Sequence, residues 1–289
     1  MRTMLAMLLA FLSTTSQAQV VIPVDITPEG HILMKGSIDG VAGNFIFDTG
    51  GGLDVVTRKF ASQLKTLIPR DGGFTGFRAT GERIDAQLYT IAGQLGDSTG
   101  DSSTIAVVDA DFGPIDGLVS LMSYRNKPVT IDYEHKQLIL ETPASLAARK
   151  SNARAVIPLQ LEDQRGLALD IFAYFSLDGK AVIQLLLDSG AGNNVFRFHP
   201  RYMTRLGIDP NDTSRVETIR RRSEIDTSFT SVIYRANVRS LAAKDASAVK
   251  VSGFKASFVD GLIYDGIVSL NWIGKCITID LQQQEMIVR

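Results

Sequence analysis

The second half of this 289-residue chain repeats the first half, and no other feature limits its possible folds as strongly. Five short segments recur in the same order, at an offset that ranges from 135 residues (Val21 to Val156) to 149 residues (Asp116 to Asp265). Composition bias does not produce ordered matches, so we interpret the chain as two copies of one module. The recurring segments are Val21–Pro23 and Val156–Pro158, Ile38–Gly40 and Leu177–Gly179, Phe45–Gly50 and Leu185–Gly190, Asp116–Leu121 and Asp265–Leu270, and Thr130–Asp132 and Thr278–Asp280.

Each module is predicted to consist mainly of short strands, because β-branched and apolar runs alternate with glycine-rich turns. One short helix is expected over Asp54–Leu67, where apolar residues recur near helical spacing. We therefore expect an all-β fold of two pseudo-twofold-related, β-barrel-like lobes with short helices. A small, polar linker is expected at Pro143–Ala155, and the expected domains are residues 19–145 and 146–289. The strands predicted in the first module are Val20–Ile26, Ile32–Ile38, Asn44–Phe47, Arg83–Ala92, Ser103–Val108, Val129–Ile131 and Gln137–Leu140.

The N-terminus has the three-part pattern of a secretory signal peptide. Arg2 precedes an apolar run over Met4–Leu12, and Ser16 and Ala18 are small residues at the spacing that a signal peptidase accepts. The run is too short to span a bilayer, and no later segment is long and apolar enough to do so. We expect residues 1–18 to be removed as a signal peptide, and the protein to be exported to the periplasm or secreted.

The composition excludes several classes of protein. Lys and Arg number 30 and Asp and Glu number 31, so the formal net charge is −1 and no broad basic surface for nucleic acid is expected. The single cysteine, Cys276, excludes an intrachain disulfide and a cysteine-based zinc site. The three histidines share no short metal-ligand spacing, so no metal ion and no organic cofactor are expected.

Two Asp-[Thr/Ser]-Gly tripeptides at equivalent positions of the two modules carry the chemical argument. Either one alone would be interpreted as a surface turn. Asp48 and Asp188 each end an apolar strand, however, and a pseudo-twofold axis can bring them together. Like charges a few ångströms apart cannot both ionise cheaply, so one carboxyl keeps a proton while the other stays charged. A water between them can lose a proton to the charged carboxylate while the protonated one polarises a carbonyl, which is general acid–base hydrolysis of an amide.

With these motifs the sequence resembles the retropepsin-like and pepsin-like aspartic proteases. The matching pieces are the hydrophobic run into each Asp-[Thr/Ser]-Gly and the later segments Ile115–Val119 and Tyr264–Val268. The resemblance implies an aspartic endopeptidase with two acid-protease lobes, a monomer that binds an extended polypeptide substrate between them. The residues it assigns are Asp48 and Asp188 as the catalytic pair, Thr49, Gly50, Ser189 and Gly190 as supports of the catalytic loops, and Gly117 and Gly266 as packing residues beside those loops.

The same resemblance implies a flap hairpin that covers the substrate. In the first module the candidate is the glycine-rich stretch Gly72–Arg83, and the alternative is a plain exposed loop. The equivalent stretch of the second module contains Arg220–Arg222 and no glycine, so the two lobes are expected to differ. The flap residues expected to contact substrate are Phe74, Gly76, Phe77, Thr80 and Gly81.

The sequence departs from the family pattern after the first Asp-Thr-Gly. Gly51 stands where the family usually has Ala, Ser or Thr, and Ala191 stands at the equivalent place in the second module. Neither residue offers a hydroxyl that would stabilise a charged aspartate. We therefore predict a less acidic pH optimum than in family members with that hydroxyl.

Two alternatives to an endopeptidase stay open at this stage. One is a peptide-binding module of the same fold with weak or silent catalysis, for which Gly51 and the glycine-free second hairpin leave room. The other is a different hydrolase with paired aspartates, such as a glycosidase. The distance between the two carboxyls discriminates, because glycosidases need a separation of about 5 Å or more to fit a sugar ring.

Overall fold

The computed structural model describes residues 19–77, 81–92, 102–222 and 229–289. The predicted signal peptide, residues 1–18, lies outside these described residues. The described chain is built mostly of strands with a few short helices, and its two halves form two β lobes. The all-β, two-lobe fold class is therefore confirmed. Among the described residues, no helix is long and apolar enough to cross a membrane.

The described residues of the first lobe form eleven strands and one short helix. Most of the predicted strands are confirmed, although the one predicted at Val20–Ile26 is divided into two. The elements are β1 (Val20–Pro23), β2 (Asp25–Ile26), β3 (Ile32–Ile38), β4 (Val41–Asp48), β5 (Val55–Thr57), α1 (Arg58–Ala61), β6 (Ile68–Phe77), β7 (Arg83–Ala92), β8 (Ser102–Val108), β9 (Gly117–Ser120), β10 (Val129–Asp132) and β11 (Gln137–Leu140). A 3-10 turn at Leu121–Tyr124 follows β9.

The second lobe follows the same plan, as the sequence repeat requires. It is preceded by a helix and contains eleven further strands. The elements are α2 (Pro143–Ser151), β12 (Ala155–Pro158), β13 (Gln160–Asp163), β14 (Leu169–Leu177), β15 (Ala181–Leu187), β16 (Phe196–Phe198), α3 (Arg201–Leu206), β17 (Val216–Arg222), β18 (Thr230–Ala243), β19 (Ala246–Val259), β20 (Gly266–Val268), β21 (Cys276–Asp280) and β22 (Glu285–Val288). A 3-10 turn at Ser189–Ala191 follows β15.

Strand order confirms the repeat in three dimensions. The first lobe has an eight-stranded sheet in the order β2-β3-β4-β9-β5-β8-β7-β6. The sheet of the second lobe has the order β13-β14-β15-β20-β16-β19-β18-β17, so each strand occupies the place of its repeat partner. In both sheets the strand that leads to an Asp-[Thr/Ser]-Gly turn lies parallel to a central strand, β4 to β9 and β15 to β20.

A third sheet joins the two lobes. It has six strands in the order β1-β11-β10-β21-β22-β12, three from each half. At its centre β10 pairs antiparallel with β21, and Thr130 lies directly opposite Thr278. The two buried hydroxyls are 2.6 Å apart, and Thr130 also donates to the buried carboxylate of Glu141. Repeat-equivalent residues therefore face each other here, which places the pseudo-twofold axis between the two threonines.

Two sequence predictions about local structure are wrong. The helix predicted over Asp54–Leu67 is a strand, β5, followed by the short helix α1, since Val55 and Val56 are needed between β8 and β9 in the sheet. The linker predicted at Pro143–Ala155 is mainly the helix α2. Thr142 and Ser145 form a reciprocal capping box at its start, and Pro143 occupies a position where proline favours helix initiation. The predicted domain boundary at residues 145 and 146 falls inside this helix and stays a prediction.

Candidate functional site

Buried strand residues bring the two aspartates to the ends of their strands. Phe45 and Phe47 in β4 are fully buried, and so are Leu185 and Leu187 in β15. Both strands are central in their sheets, so each has hydrogen-bonded neighbours on both sides and is held firmly. Asp48 ends β4 and Asp188 directly follows β15, so their positions are fixed by the core packing behind them.

The two Asp-[Thr/Ser]-Gly turns interlock through the hydroxyls of Thr49 and Ser189. The backbone N–H of Thr49 donates to Ser189 Oγ, and the N–H of Ser189 donates to Thr49 Oγ1, both at 3.0 Å. Each hydroxyl in turn donates to a carbonyl of the opposite lobe, Thr49 to Leu187 at 2.6 Å and Ser189 to Phe47 at 2.9 Å. Both side chains are buried. Four reciprocal hydrogen bonds therefore hold the two turns together across the pseudo-twofold axis.

Only glycine fits after each hydroxyl residue. A Cβ at Gly50 would lie 2.8 Å from Cγ of Asp188, and a Cβ at Gly190 would lie 2.4 Å from Cγ of Asp48. Such distances are shorter than real side chains tolerate, and each glycine faces the aspartate of the opposite lobe. Gly50 and Gly190 thus let the two carboxyls approach each other.

The two carboxyls share a hydrogen bond but have different surroundings. Burial raises the pKa of Asp48, while hydrogen bonds from the Gly50 and Gly190 N–H groups and from Asp188 act in the opposite direction. Burial first, then the charge of Asp48, raise the pKa of Asp188 well above the ordinary value. The donors therefore favour the anion on Asp48 and leave the proton on Asp188. Asp188 Oδ1 is buried without a hydrogen-bond partner among the described residues.

Gly51, the glycine that follows Asp-Thr-Gly in the first lobe, lies directly against the carboxyl of Asp48. A Cβ there would be 3.1 Å from Asp48 Oδ2, so a serine hydroxyl at this position would be within reach of the carboxylate. The native chain has no such donor at Gly51 or Ala191.

A third acid supports the first turn, and sequence reasoning missed it. Asp54 is 3% exposed and accepts hydrogen bonds from the N–H of Ser120 at 2.7 Å, its hydroxyl at 3.1 Å and the Ser123 hydroxyl at 2.5 Å. Ser120 in β9 is also the pairing partner of Asp48 in β4. Both ends of the loop from Asp48 to Asp54 are therefore held by Ser120 at the end of β9. Burial raises the pKa of Asp54 to about 6. The only sequence signal is a charged residue inside the apolar run Leu53–Val56.

Gly117 and Gly266 lie in strands beside the two Asp-[Thr/Ser]-Gly turns. Both are buried in the strand next to the one that bears an aspartate. A Cβ at Gly117 would be 2.1 Å from the carbonyl oxygen of Val55, and one at Gly266 would be 2.6 Å from that of Arg197. The close backbone approach explains the need for glycine at both positions.

The glycine-rich stretch of the first lobe is a hairpin formed by β6 and β7. Phe74 packs against a small apolar cluster that includes Leu53 and Val55, next to the loop of Asp48. Gly76 lies beside the Phe74 ring, and Phe77 is 49% exposed. Gly81 has a φ of +80°, and a Cβ there would be 2.1 Å from the carbonyl oxygen of Gly261 in the second lobe.

Gly81 belongs to the connection between β6 and β7, so the tip of this hairpin touches the opposite lobe at Gly81. Of the predicted flap residues, Thr80 lies outside the described residues. In the second lobe β17 and β18 form the equivalent hairpin, and Arg220–Arg222 on it are exposed.

Within the described ranges, no group of three or more His, Cys, Asp or Glu side chains could hold a metal ion.

Comparison with known proteins gives the fold and no sequence family. No family model matches the chain, and no curated protein matches it in sequence. Among solved structures, basic 7S globulin from soybean is similar, with a TM-score of 0.51 and 10% identity over 93% of each chain. Conglutin gamma, a basic 7S globulin from lupine seeds, has a TM-score of 0.49 and 10% identity over 93% of this chain and 94% of its own.

These findings correct the family assignment made from motifs. A similar structure with a TM-score above 0.5 is a basic 7S globulin, and no family model supports membership in the retropepsin-like or pepsin-like proteases, so that assignment is wrong. The motifs that suggested it total only a few residues in each lobe, and at 10% identity the likeness to basic 7S globulin shows a shared fold alone. Any activity must therefore be argued from the site itself.

Proposed function

We propose that the chain binds an extended polypeptide between its lobes and hydrolyses peptide bonds through Asp48 and Asp188. The observation that carries this proposal is the position of each carboxyl against the glycine of the opposite turn, at the point where the two turns interlock. Both acids come from one chain, so a monomer has the complete site. The proposal rests on these carboxyls and not on membership of a protease family.

The surroundings of the two carboxyls give each a role. Asp48, the favoured anion, accepts a proton from a water molecule whose oxygen attacks the peptide carbonyl carbon. Asp188, the favoured acid, donates a hydrogen bond to the carbonyl oxygen, on which negative charge develops. When the C–N bond of the tetrahedral intermediate breaks, the leaving nitrogen takes up the proton that Asp48 accepted from the water, and Asp48 is an anion again while Asp188 keeps its proton. Two carboxyls and one water suffice for this chemistry, so it requires no metal or organic cofactor.

The contact between the carboxyls argues against glycoside hydrolysis. Both types of glycosidase hold their two acids about 5 Å or more apart, so that a sugar ring or a ring and a water fit between them. Asp48 and Asp188 each lie against the glycine of the opposite turn, and each acid shifts the pKa of the other. A single shared water fits this arrangement, and a sugar ring does not.

The second candidate function is polypeptide binding with weak or silent catalysis. The comparison with solved structures favours it over hydrolysis, since a similar structure with a TM-score above 0.5 is a basic 7S globulin and its name describes no enzyme. Gly51 favours it too, because the loop lacks a hydroxyl beside Asp48. The mutual hydrogen bond of two acids favours hydrolysis, since binding alone does not require two crowded carboxyls.

Export is part of the proposal. The pattern of residues 1–18 supports passage through a secretory pathway, with the periplasm or the external medium as the destination.

The test is cleavage of an unfolded protein mixture by the chain from residue 19 onward, between about pH 3 and pH 7, followed by mass spectrometry of the products. The matched control is Asp188→Asn, which keeps the shape of the side chain and removes the acid. Cleavage by the native chain and none by the variant supports hydrolysis. Equal peptide binding by both folded chains, with cleavage by neither, supports the binding module.

A further inference from the structure

The two lobes place residues of opposite chemistry at one pair of equivalent positions. The segments Ile38–Gly40 and Leu177–Gly179 are repeat partners, and counting back along β3 and β14 pairs His31 with Asp170. The first lobe thus has the imidazole of His31 where the second lobe has the carboxyl of Asp170. The repeat preserves the backbone here and changes the charge.

Each of these residues lies against the Asp-containing loop of the other lobe. A Cβ at Gly52 would be 3.6 Å from Asp170 Oδ1, and one at Gly192 would be 3.7 Å from His31 Cε1. The contacts are supported by backbone hydrogen bonds across the lobes, from Leu169 to Gly52 at 2.8 Å and from Asn193 to Glu29 at 2.7 Å. His31 and Asp170 therefore flank the carboxyl pair from opposite sides. Nδ1 of His31 is buried and has no hydrogen-bond partner among the described residues.

Asp170 is surrounded by groups that disfavour its negative charge. It is 5% exposed and lies directly opposite Glu162 in the pairing of β13 with β14. Burial first, then the charges of Glu162 and Asp48, raise the pKa of Asp170 to about 7, and a hydrogen bond with Tyr264 opposes this. The charged groups that raise its pKa are thus acids from two different strands. A cation placed beside Asp170 would relieve this repulsion.

We propose that Asp170 is a specificity-determining residue that selects a basic side chain, Lys or Arg, in a polypeptide bound between the lobes. The inference rests on the proposed polypeptide binding, and it adds a substrate class. The ammonium or guanidinium group pairs with the Asp170 carboxylate and is attracted by exposed Glu162 behind it. Because His31 holds the equivalent place, the selection acts on one side of the carboxyl pair only.

The experiment measures binding, so that it does not depend on cleavage. The probes are extended peptides in which one central peptide bond is reduced and cannot be cleaved. Each peptide carries a single Lys, placed in turn at successive positions on both sides of that bond. A matched peptide has norleucine in place of each Lys. Dissociation constants are measured by fluorescence anisotropy for the native chain, for Asp170→Asn and for Asp245→Asn. Asp245 is an exposed acid in the turn between β18 and β19, and it controls for net charge. Cleavage of the matching normal peptides is measured separately.

We expect the native chain to prefer Lys over norleucine by about tenfold to a hundredfold, on one side of the central bond, since a charge-assisted hydrogen bond is worth ~1.5–3 kcal/mol. Asp170→Asn loses this preference and still binds the norleucine peptide, while Asp245→Asn keeps it. The preference also grows between about pH 5 and pH 8 in the native chain, as Asp170 loses its proton, and stays flat in Asp170→Asn. All other groups are common to the native chain and Asp170→Asn, so the difference between these two chains isolates the contribution of Asp170.

The possible failures are distinguishable. An absent or two-sided Lys preference in the native chain overturns the role of Asp170, and so does a preference that survives in Asp170→Asn. If folded Asp170→Asn binds the Lys peptide and the norleucine peptide equally more weakly than the native chain does, Asp170 has a structural role, and this result also overturns the proposal. Selective binding without cleavage of any normal peptide removes the proposed hydrolysis and leaves the role of Asp170 intact.

Discussion

Replacing Asp54 by asparagine should change how stability depends on pH. The raised pKa means that folding favours the neutral acid, so the stability from this group is fully present below the unfolded value of 3.8 and is lost as pH rises through about 6. At 1.36 kcal/mol per pKa unit, the rise from 3.8 to about 6 corresponds to about 3 kcal/mol. Asn keeps an oxygen that accepts from the Ser120 N–H and has no charge to bury, so Asp54→Asn escapes this loss.

The assay is urea unfolding of the native chain and Asp54→Asn at about pH 4 and pH 8. The free energy of unfolding of the variant, relative to the native chain, should be higher at pH 8 than at pH 4 by about 2 kcal/mol, because a small part of the effect is already lost at pH 4. All other titrating groups are common to both chains and largely cancel. Asp245→Asn, an exposed control, should show no such change beyond about 0.5 kcal/mol. The burial of a charge at Asp54 is contradicted if the difference in unfolding free energy between the two chains is the same at both pH values, or if the native chain is stabilised relative to the variant at pH 8.

Three further substitutions test other parts of the site. Gly190→Ala puts a methyl group 2.4 Å from Cγ of Asp48, so thermal unfolding should show lower stability and the cleavage assay should show loss of activity; unchanged activity contradicts the close approach. Gly51→Ser supplies a hydroxyl beside Asp48 and should move the acidic limb of the activity profile to lower pH, and no shift contradicts this role; the native profile should not peak below about pH 3. Thr278→Val removes one of two paired buried hydroxyls between the lobes and should cost about 1–3 kcal/mol in urea unfolding, against no measurable cost if the pair is unimportant.

The parts of the fold that follow from local pattern were predictable from sequence. The five recurring segments predicted two equivalent lobes, and apolar runs bounded by turn residues predicted the strands Ile32–Ile38 and Arg83–Ala92 with the right extent. The position of an aspartate at the end of an apolar strand in each repeat predicted that the two acids would meet. These inferences needed only the periodicity of single segments and the symmetry of the repeat.

The errors and omissions arise from contacts that a single segment does not encode. The run Asp54–Leu67 has helical spacing, yet sheet pairing on both sides makes its start a strand. The network of Asp54 with Ser120 and Ser123 joins residues more than sixty positions apart, and the contact of Asp170 with Gly52 crosses the lobes. The motif-based family assignment failed for a related reason, because a few residues around each aspartate define a local turn and do not define a family.

Titration of the two central carboxyls tests the main claim most directly. The chain is prepared with ¹³C-labelled aspartate carboxyls, and spectra of the native protein are compared over pH with those of Asp48→Asn and Asp188→Asn to assign the two signals. We expect the pair to keep one proton at pH values well above the ordinary aspartate pKa of 3.8. Removing either acid should abolish this coupled titration. Two carboxyls that titrate independently near 3.8 would contradict the account, because acids in hydrogen-bond contact cannot behave in that way.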